Sequence, residues 1–266
     1  MSKRKQILVW AATSFAVLVA YACLFGVQTG FAFIARRWGR QMPVTKTIPV
    51  DLTDLRINPA AGTNLTYLGF SFEIPWSDVV ESKTVGKMQL VRFRSGMVII
   101  ISRIPPRAFV TSVAEKAGGE QDLKRAYGDE VTSSDYNFYQ MMLNTTPKSV
   151  KPFGSRQAAT RSELILLIKA IAVPEPGESG IFSLRTSHFE GFQYGNPGVN
   201  PKRILIDLFD ELGGTEIMVA CGATGCSPPI TQADLNRISQ SLVRVVPYVV
   251  TTSTPTTGNP KLTASR

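Results

Sequence analysis

The stretch Arg203–Cys221, RILIDLFDELGGTEIMVAC, decides the fold. Two apolar runs rich in β-branched residues, Arg203–Phe209 and Thr215–Cys221, flank Gly213-Gly214. β-Branched side chains pack well on a pleated surface. Two glycines tolerate the positive φ that both central residues of a tight hairpin turn need. The spacing predicts two antiparallel strands joined at that turn.

Working outward, the same signals recur. Ile181–Ser187 and Phe189–Tyr194 read as strands. Met88–Phe93 and Met97–Ile104 flank Arg94-Ser95-Gly96 as a second hairpin, and Tyr67–Ile74 alternates as one strand until Pro75. Between these lie helical patterns. Thr111–Tyr127 is interrupted by Gly118-Gly119, and Ser134-Asp135 caps a helix running through Leu143. Arg156–Val173 places Ala158, Ala159, Leu164, Leu167, Ile168 and Ile171 at helical spacing and stops at Pro174. Thr231 caps a closing helix, Gln232–Val245, with Leu235, Ile238, Leu242 and Val245 on one face. Strands joined by short turns, with helices inserted as a block, predict an α+β domain whose mainly antiparallel sheet packs against helices.

The amino-terminal region follows a different rule. Gln6–Ala35, QILVWAATSFAVLVAYACLFGVQTGFAFIA, contains no charged residue. About 20 apolar residues in a helix cross a bilayer core, so this run predicts a transmembrane helix. Trp10 and Trp38 stand roughly 42 Å apart at helical rise, and with Arg36 and Arg37 they suit the two membrane interfaces. The rival reading, a cleaved signal peptide, calls for an apolar region of roughly half this length and a small-residue cleavage site. Arg36-Arg37-Trp38 offers none. Ala22-Cys23 invites a lipoprotein reading, yet another dozen mostly apolar residues follow. Basic residues flank both ends, so orientation rests on the short amino-terminal side staying in the cytoplasm. Ala22, Gly26 and Gly30 recur every four residues as a helix-packing stripe, with coincidence as the alternative. The chain thus divides into a cytoplasmic stub and anchor (1–40), a linker (41–66), an extracytoplasmic α+β domain (67–248) and a disordered Thr/Ser/Pro/Asn-rich tail (249–266).

Charge excludes a nucleic-acid domain. The net charge is +9, but residues 1–40 hold six basic and no acidic residues. The excess sits beside the expected membrane, where anionic headgroups account for it. Cys221 and Cys226 suit a disulfide closing a small loop in an oxidising compartment. Free thiols and a metal or redox pair are the alternatives, although the lone His188 leaves a metal short of ligands.

The opening strand GFSFEIPW, the hairpin after it, the later paired strands and the terminal helix around Ile238–Leu242 together resemble the Mog1/PsbP-like α/β/α sandwich. The resemblance covers about residues 64–246 and transfers no catalytic motif. It implies accessory or binding roles beside larger assemblies, photosynthetic ones among them.

Candidate sites were weighed individually. His188 lies between Ser187 and Glu190, but neighbours on a strand face opposite sides, so Ser187 cannot serve it as a triad serine. It reads as a turn or surface histidine. Asp207, Asp210, Glu211 and Glu216 surround the Gly-Gly hairpin and read as solvated charges, with a weak calcium site as the alternative. Gly191, Gly195 and Gly198 lack the helix and Lys-Ser/Thr of a phosphate loop. Phe192 and Tyr194, with Phe189, offer an aromatic contact surface. Lys83, Lys87, Arg92, Arg94, Arg103 and Arg107 form a stretch without acidic residues. It reads as charges at strand ends on a solvated face, with a basic stripe for lipid headgroups or an acidic partner as the alternative, in which Arg92 and Arg94 are the partner contacts. The reading that results is a non-catalytic, membrane-anchored accessory or assembly subunit of an inner-membrane complex, needing no cofactor, with the bilayer and other membrane subunits as partners. A tethered binding module for a small molecule or envelope polymer is the second reading, and an unrecognised hydrolase the third.

Overall fold

A sheet of eight strands forms the middle layer of the computed structural model, which describes residues 3–38, 47–60, 62–151, 153–173, 180–199, 202–222 and 225–245. In chain order the elements begin with helix α1 (Lys3–Trp38), strands β1 (Val50–Asp51), β2 (Thr63–Tyr67), β3 (Phe70–Ile74), β4 (Val79–Val85), β5 (Met88–Phe93) and β6 (Met97–Ile104). Helices α2 (Ala108–Lys116), α3 (Glu120–Tyr127), α4 (Asp129–Ser133) and α5 (Asp135–Asn144) follow, then a 3-10 turn (Pro147–Ser149) and α6 (Arg156–Ala172). Strands β7 (Ile181–Arg185), β8 (Glu190–Tyr194), β9 (Arg203–Asp210) and β10 (Gly213–Cys221), helix α7 (Gln232–Ser241) and strand β11 (Val243–Arg244) complete the described chain. The large sheet is ordered β1-β7-β8-β9-β10-β6-β5-β4, and β11-β3-β2 form a small one. Strands β1 and β7 run parallel, and the other pairs in the described residues are antiparallel. The α+β expectation therefore holds, with a mixed sheet.

Alternation along β9 explains the layering. Ile204, Ile206 and Leu208 point into a core shared with Phe70, Phe72 and Ile74 of the small sheet and Leu235, Ile238 and Leu242 of α7. Leu205 and Phe209 point the other way, toward Val110, Leu123, Phe138, Leu143 and Ile165 from α2, α3, α5 and α6. A strand covered on both faces has no solvent side, so its apolar run is nearly continuous.

Several boundaries differ from the sequence expectation. Tyr67–Ile74 is not one strand: Leu68 and Gly69 take φ of 45° and 84° and turn β2 back onto β3. The β9–β10 turn is Glu211-Leu212, not Gly213-Gly214. Those glycines open β10 because a Cβ on Gly213 would lie 2.5 Å from the Ile104 carbonyl oxygen and one on Gly214 2.4 Å from that of Leu208. The closing helix stops at Ser241, and Val243-Arg244 pair with β3. Arg244 forks onto Asp210 at 2.9 and 2.7 Å and stacks 4.6 Å above the Phe70 ring. The expected linker is also folded in part. Asn236 Nδ2 donates to the carbonyls of Asp54 and Arg56, and Asn58 Nδ2 donates to Asp234. The expected tail, 249–266, lies outside the described residues.

Helix α1 is bent. Its arms Ser14–Ala22 and Gly26–Arg37 meet at 68°, and Tyr21 Oη and Thr29 Oγ1 hydrogen-bond across the bend at 2.9 Å. Eight residues of straight helix would hold those positions about 12 Å apart along the axis. Among the described residues no single helix is long and apolar enough to cross a membrane; the two arms meet that test of length and composition only together. The second arm docks on the domain through Gln28, Ala32 and Ala35, all buried, against Val150 and Leu166. Gln28 Nε2 donates to the Lys151 carbonyl at 2.7 Å. Lys169, buried on α6, donates to the carbonyls of Leu143 and Thr145 at 2.5 and 2.7 Å, tying α6 to the end of α5. Burial pulls its pKa down to about 8.

Strands β8 and β9 approach closely at Gly191, where a Cβ would meet the Asp207 carbonyl oxygen at 1.8 Å. Gly191→Ala is expected to cost about 3 kcal/mol, the upper range for overpacking, as a lowered midpoint in urea unfolding. An unchanged midpoint would show that the two strands separate freely here.

Candidate functional site

Two turns and two helix starts converge at one end of the sheet. Thr186 Oγ1 accepts from the N–H groups of His188 and Phe189 at 3.3 and 3.0 Å, which folds the β7–β8 turn and presents His188. The β9–β10 turn brings Asp210, Glu211 and Leu212 beside it, where the Asp210 carboxylate accepts from the Leu212 N–H at 2.8 Å. Opposite stand Arg107, just before α2, and Ser134-Asp135 at the start of α5. Together these groups line a cleft of about 980 Å³.

Asp135 is the most constrained group in that cleft. Ser134 caps α5 by accepting from the Asn137 N–H at 3.2 Å. Asp135 then reaches across to a different helix, its Oδ1 accepting from the N–H groups of Phe109 and Val110 at 3.1 and 3.3 Å. A carboxylate over the free N–H groups of a helix start satisfies both the orphan donors and the helix dipole. Its Oδ2 is buried without a hydrogen-bond partner. Burial raises the Asp135 pKa, opposed by the α2 backbone N–H groups and by the charge of Arg107. Arg107 holds a left-handed backbone, φ 54° and ψ 30°, unusual outside glycine. Its guanidinium donates to Glu120 at 2.8 Å and to the Thr132 carbonyl at 3.0 Å, while its Nε is buried and unpartnered. Both residues line the cleft, but these two unpartnered atoms are themselves buried behind its wall.

A second cleft, about 560 Å³, lies on the far side of Tyr136, Arg185 and Thr186, which line both. Tyr136 is fixed by stacking on Phe192, centroids 5.1 Å apart and planes 19° apart. Asp51, Asn144, Asn236 and Gln240 line this second cleft together with Ile48, Leu52, Leu55 and Leu184, so the two clefts form a discontinuous groove of mixed polarity beside β7.

Beneath the helices lies a buried polar cluster. Asp207 sits three residues inside the β9 ladder, paired with Glu216 on one side and Phe192 on the other. Its Oδ1 and the Tyr194 hydroxyl are buried without partners. Burial first, and then the charge of Glu216, raise the Asp207 pKa well above the carboxylate range. Burial likewise raises Tyr194 and Tyr139, with Asp207 adding to both. Among the described residues no group of His, Cys, Asp and Glu is arranged to hold a metal ion.

The sequence-selected residues fare unevenly. Asp207 is not a solvated hairpin charge: the strands extend beyond it, and its side chain faces the helices. Asp210 is largely buried in the pair with Arg244. Phe192 and Tyr194 cannot form a contact surface, because both are buried against the helices. His188 is exposed in its turn, and among the described residues its imidazole makes no hydrogen bond with Ser187 or an acid. Arg92 and Arg94 are exposed; Arg92 and Lys83 both pair with Glu81, at 3.3 and 2.9 Å. Arg107 sits far from them in the cleft. Cys221 and Cys226 are joined by a disulfide. Gly26 and Gly30 have nothing within 4 Å of where a Cβ would stand, and Ala22 is exposed, but the bend puts Ala22 on the other arm, so the three do not form one continuous stripe. The side chains of Trp10 and Trp38 lie outside the described residues. The Asp135 contact with the start of α2 has one signal in the sequence, the Ser134-Asp135 cap.

Comparison with protein-family models, curated proteins and solved structures finds no significant match to this chain.

A carboxyl whose folded pKa is raised stabilises most below its unfolded pKa, and that contribution declines as pH rises toward the folded value. The stability difference between wild type and Asp207→Asn is expected to shift against wild type by up to about 1.4 kcal/mol per pH unit above about pH 4. Urea unfolding from about pH 5 to about pH 8 measures it. Parallel pH profiles for the two proteins would mean that Asp207 stays ionised in the fold.

Proposed function

We propose that this chain is a non-catalytic, single-pass accessory or assembly subunit of an inner-membrane protein complex, photosynthetic or respiratory, with its large domain on the extracytoplasmic side. The carrying observation is a sheet face left without a cover. Leu205, Met218, Ile100 and Leu90 stand in register across β9, β10, β6 and β5. Leu205 is packed under the helices, but Leu90, Ile100 and Met218 lie beyond their reach and are half-buried. Arg92, paired across the ladder with Val98, adds a cation to this apolar row. A mixed apolar and arginine surface of this kind suits a protein partner.

Other features support the same reading. The uncharged run Gln6–Ala35 supplies an anchor, and Gly26 and Gly30 stand open on its second arm. The Cys221–Cys226 disulfide agrees with an oxidising compartment. The layering of helices, sheet and helix agrees with the resemblance to Mog1/PsbP-like sandwiches. On this reading, mild-detergent purification brings down partner subunits. Reversing Arg92 and Arg94 to Glu lowers their yield roughly tenfold, equivalent to about 1.4 kcal/mol. Quantitative mass spectrometry of the co-purified proteins reads the change, and an unaltered yield removes this face from the argument.

The two clefts that share Tyr136, Arg185 and Thr186, with Asp135 lining the larger, favour a second reading, a membrane-tethered extracytoplasmic binding module for a small molecule or envelope polymer. Native mass spectrometry of the detergent-solubilised chain is then expected to show a retained adduct that Asp135→Asn loses. A wild-type spectrum at the mass of the polypeptide alone disposes of it.

A further inference from the structure

The bend in α1 divides the uncharged run into two unequal parts. Gln6–Phe25 is 20 residues long, or about 30 Å of helix, one hydrocarbon thickness. The arm beyond it, Gly26–Arg37, is held on the domain by Gln28, Ala32 and Ala35. At 100° per residue those three positions share one face. The opposite face carries Val27, Phe33 and Ile34, which are 59%, 69% and 45% exposed. Phe153, in edge contact with Tyr21 at 6.0 Å, and Leu167 of α6 are exposed on the adjoining elements.

Basic residues predominate around this arm. Arg36 and Arg37 end it, and Arg36 donates to the Val150 carbonyl at 3.3 Å. The segment beneath it, Thr145–Ser162, contains Lys148, Lys151, Arg156 and Arg161, and Glu163 follows on α6. Basic residues beside a bilayer are drawn to anionic headgroups. An apolar face with cations near it matches the headgroup zone of a bilayer, where amphipathic helices lie in the membrane plane. The angle is compatible: a 68° bend turns the second arm well away from the line of the first, and where the usual span tilt of about 20° adds to it, the arm lies nearly parallel to the surface.

We infer that Gly26–Arg37 is an interfacial helix, docked on α6 and set against an anionic bilayer surface through Val27, Phe33 and Ile34, and that only Gln6–Phe25 spans the hydrocarbon. The inference rests on the anchored reading above and adds to it a fixed pose: the α6 side of the domain faces the lipid.

The test uses the full chain carrying Cys23→Ala, reconstituted in vesicles of phosphatidylethanolamine and phosphatidylglycerol. Single nitroxide labels are placed through Val17→Cys, Val27→Cys, Ala32→Cys or Ile34→Cys. Label depth is read from accessibility to lipid-dissolved oxygen and to an aqueous nickel chelate. The expected result is a deep Val17 label, Val27 and Ile34 labels at one shallow depth, and an Ala32 label shielded from both reagents. If the Val17 label is deep but Val27 and Ile34 differ in depth by about 10 Å, the rise of seven helical residues, the arm continues the span; this inference fails while the anchor stands. A deep Val17 label with both outer labels fully aqueous also overturns it. All labels aqueous would overturn the anchor as well.

Discussion

The structure depends on one demand: β9 and its neighbours must be dry on both faces. Ile204, Ile206 and Leu208 are sealed by α7 and the small sheet, Leu205 and Phe209 by the helical block. Burying one such side chain stabilises by roughly 1.5–3 kcal/mol, so neither cover is dispensable. The two covers come from different parts of the chain. The helical block is inserted between β6 and β7, while α7 and β11 arrive last and are clamped by Arg244 on Asp210. Closure of the second core therefore waits on the final described residues, and Arg244 locks it with a largely buried, two-pronged pair.

The same demand explains the polar anomalies. Asp207 lies on the face that the helices cover, between Leu205 and Phe209, where an apolar residue would fit the pattern. Desolvation raises the pKa of a carboxyl in that place. Asp135, by contrast, is kept as a hydrogen-bond acceptor by the N–H groups of α2, so two buried carboxyls on neighbouring layers have different duties. One is a cost within the core; the other joins two helices.

Local periodicity made much of the fold legible. The β9–β10 and β5–β6 hairpins, the Ser134 and Thr231 caps and the length of α6 follow from alternation, capping chemistry and Pro174. What was hidden depends on neighbours distant in sequence. Leu68-Gly69 reads as strand until β2 is known to fold back on β3. Gly213 and Gly214 look like turn centres, but the close approach of the Ile104 and Leu208 carbonyls sets their place. Phe192 and Tyr194 look like a surface because alternation alone does not say that both faces of β8 are covered. The site was less legible than the fold. Asp135 and Arg107 are 28 residues apart, and only the packing of the start of α5 against the start of α2 brings the carboxylate over the N–H groups beside that arginine.

One further consequence follows from how the segment after α1 is stitched down. The Thr47 N–H is bonded to the Leu143 carbonyl, β1 lies along β7, and Asn58 is fastened to α7. Only nine peptide steps separate Trp38 from Thr47, a reach of at most roughly 32 Å at full extension. The domain is thus on a short leash. On the anchored reading proposed above, that keeps it within a shell a few nanometres deep, as an outrigger fixed to the hull rather than a ball on a chain.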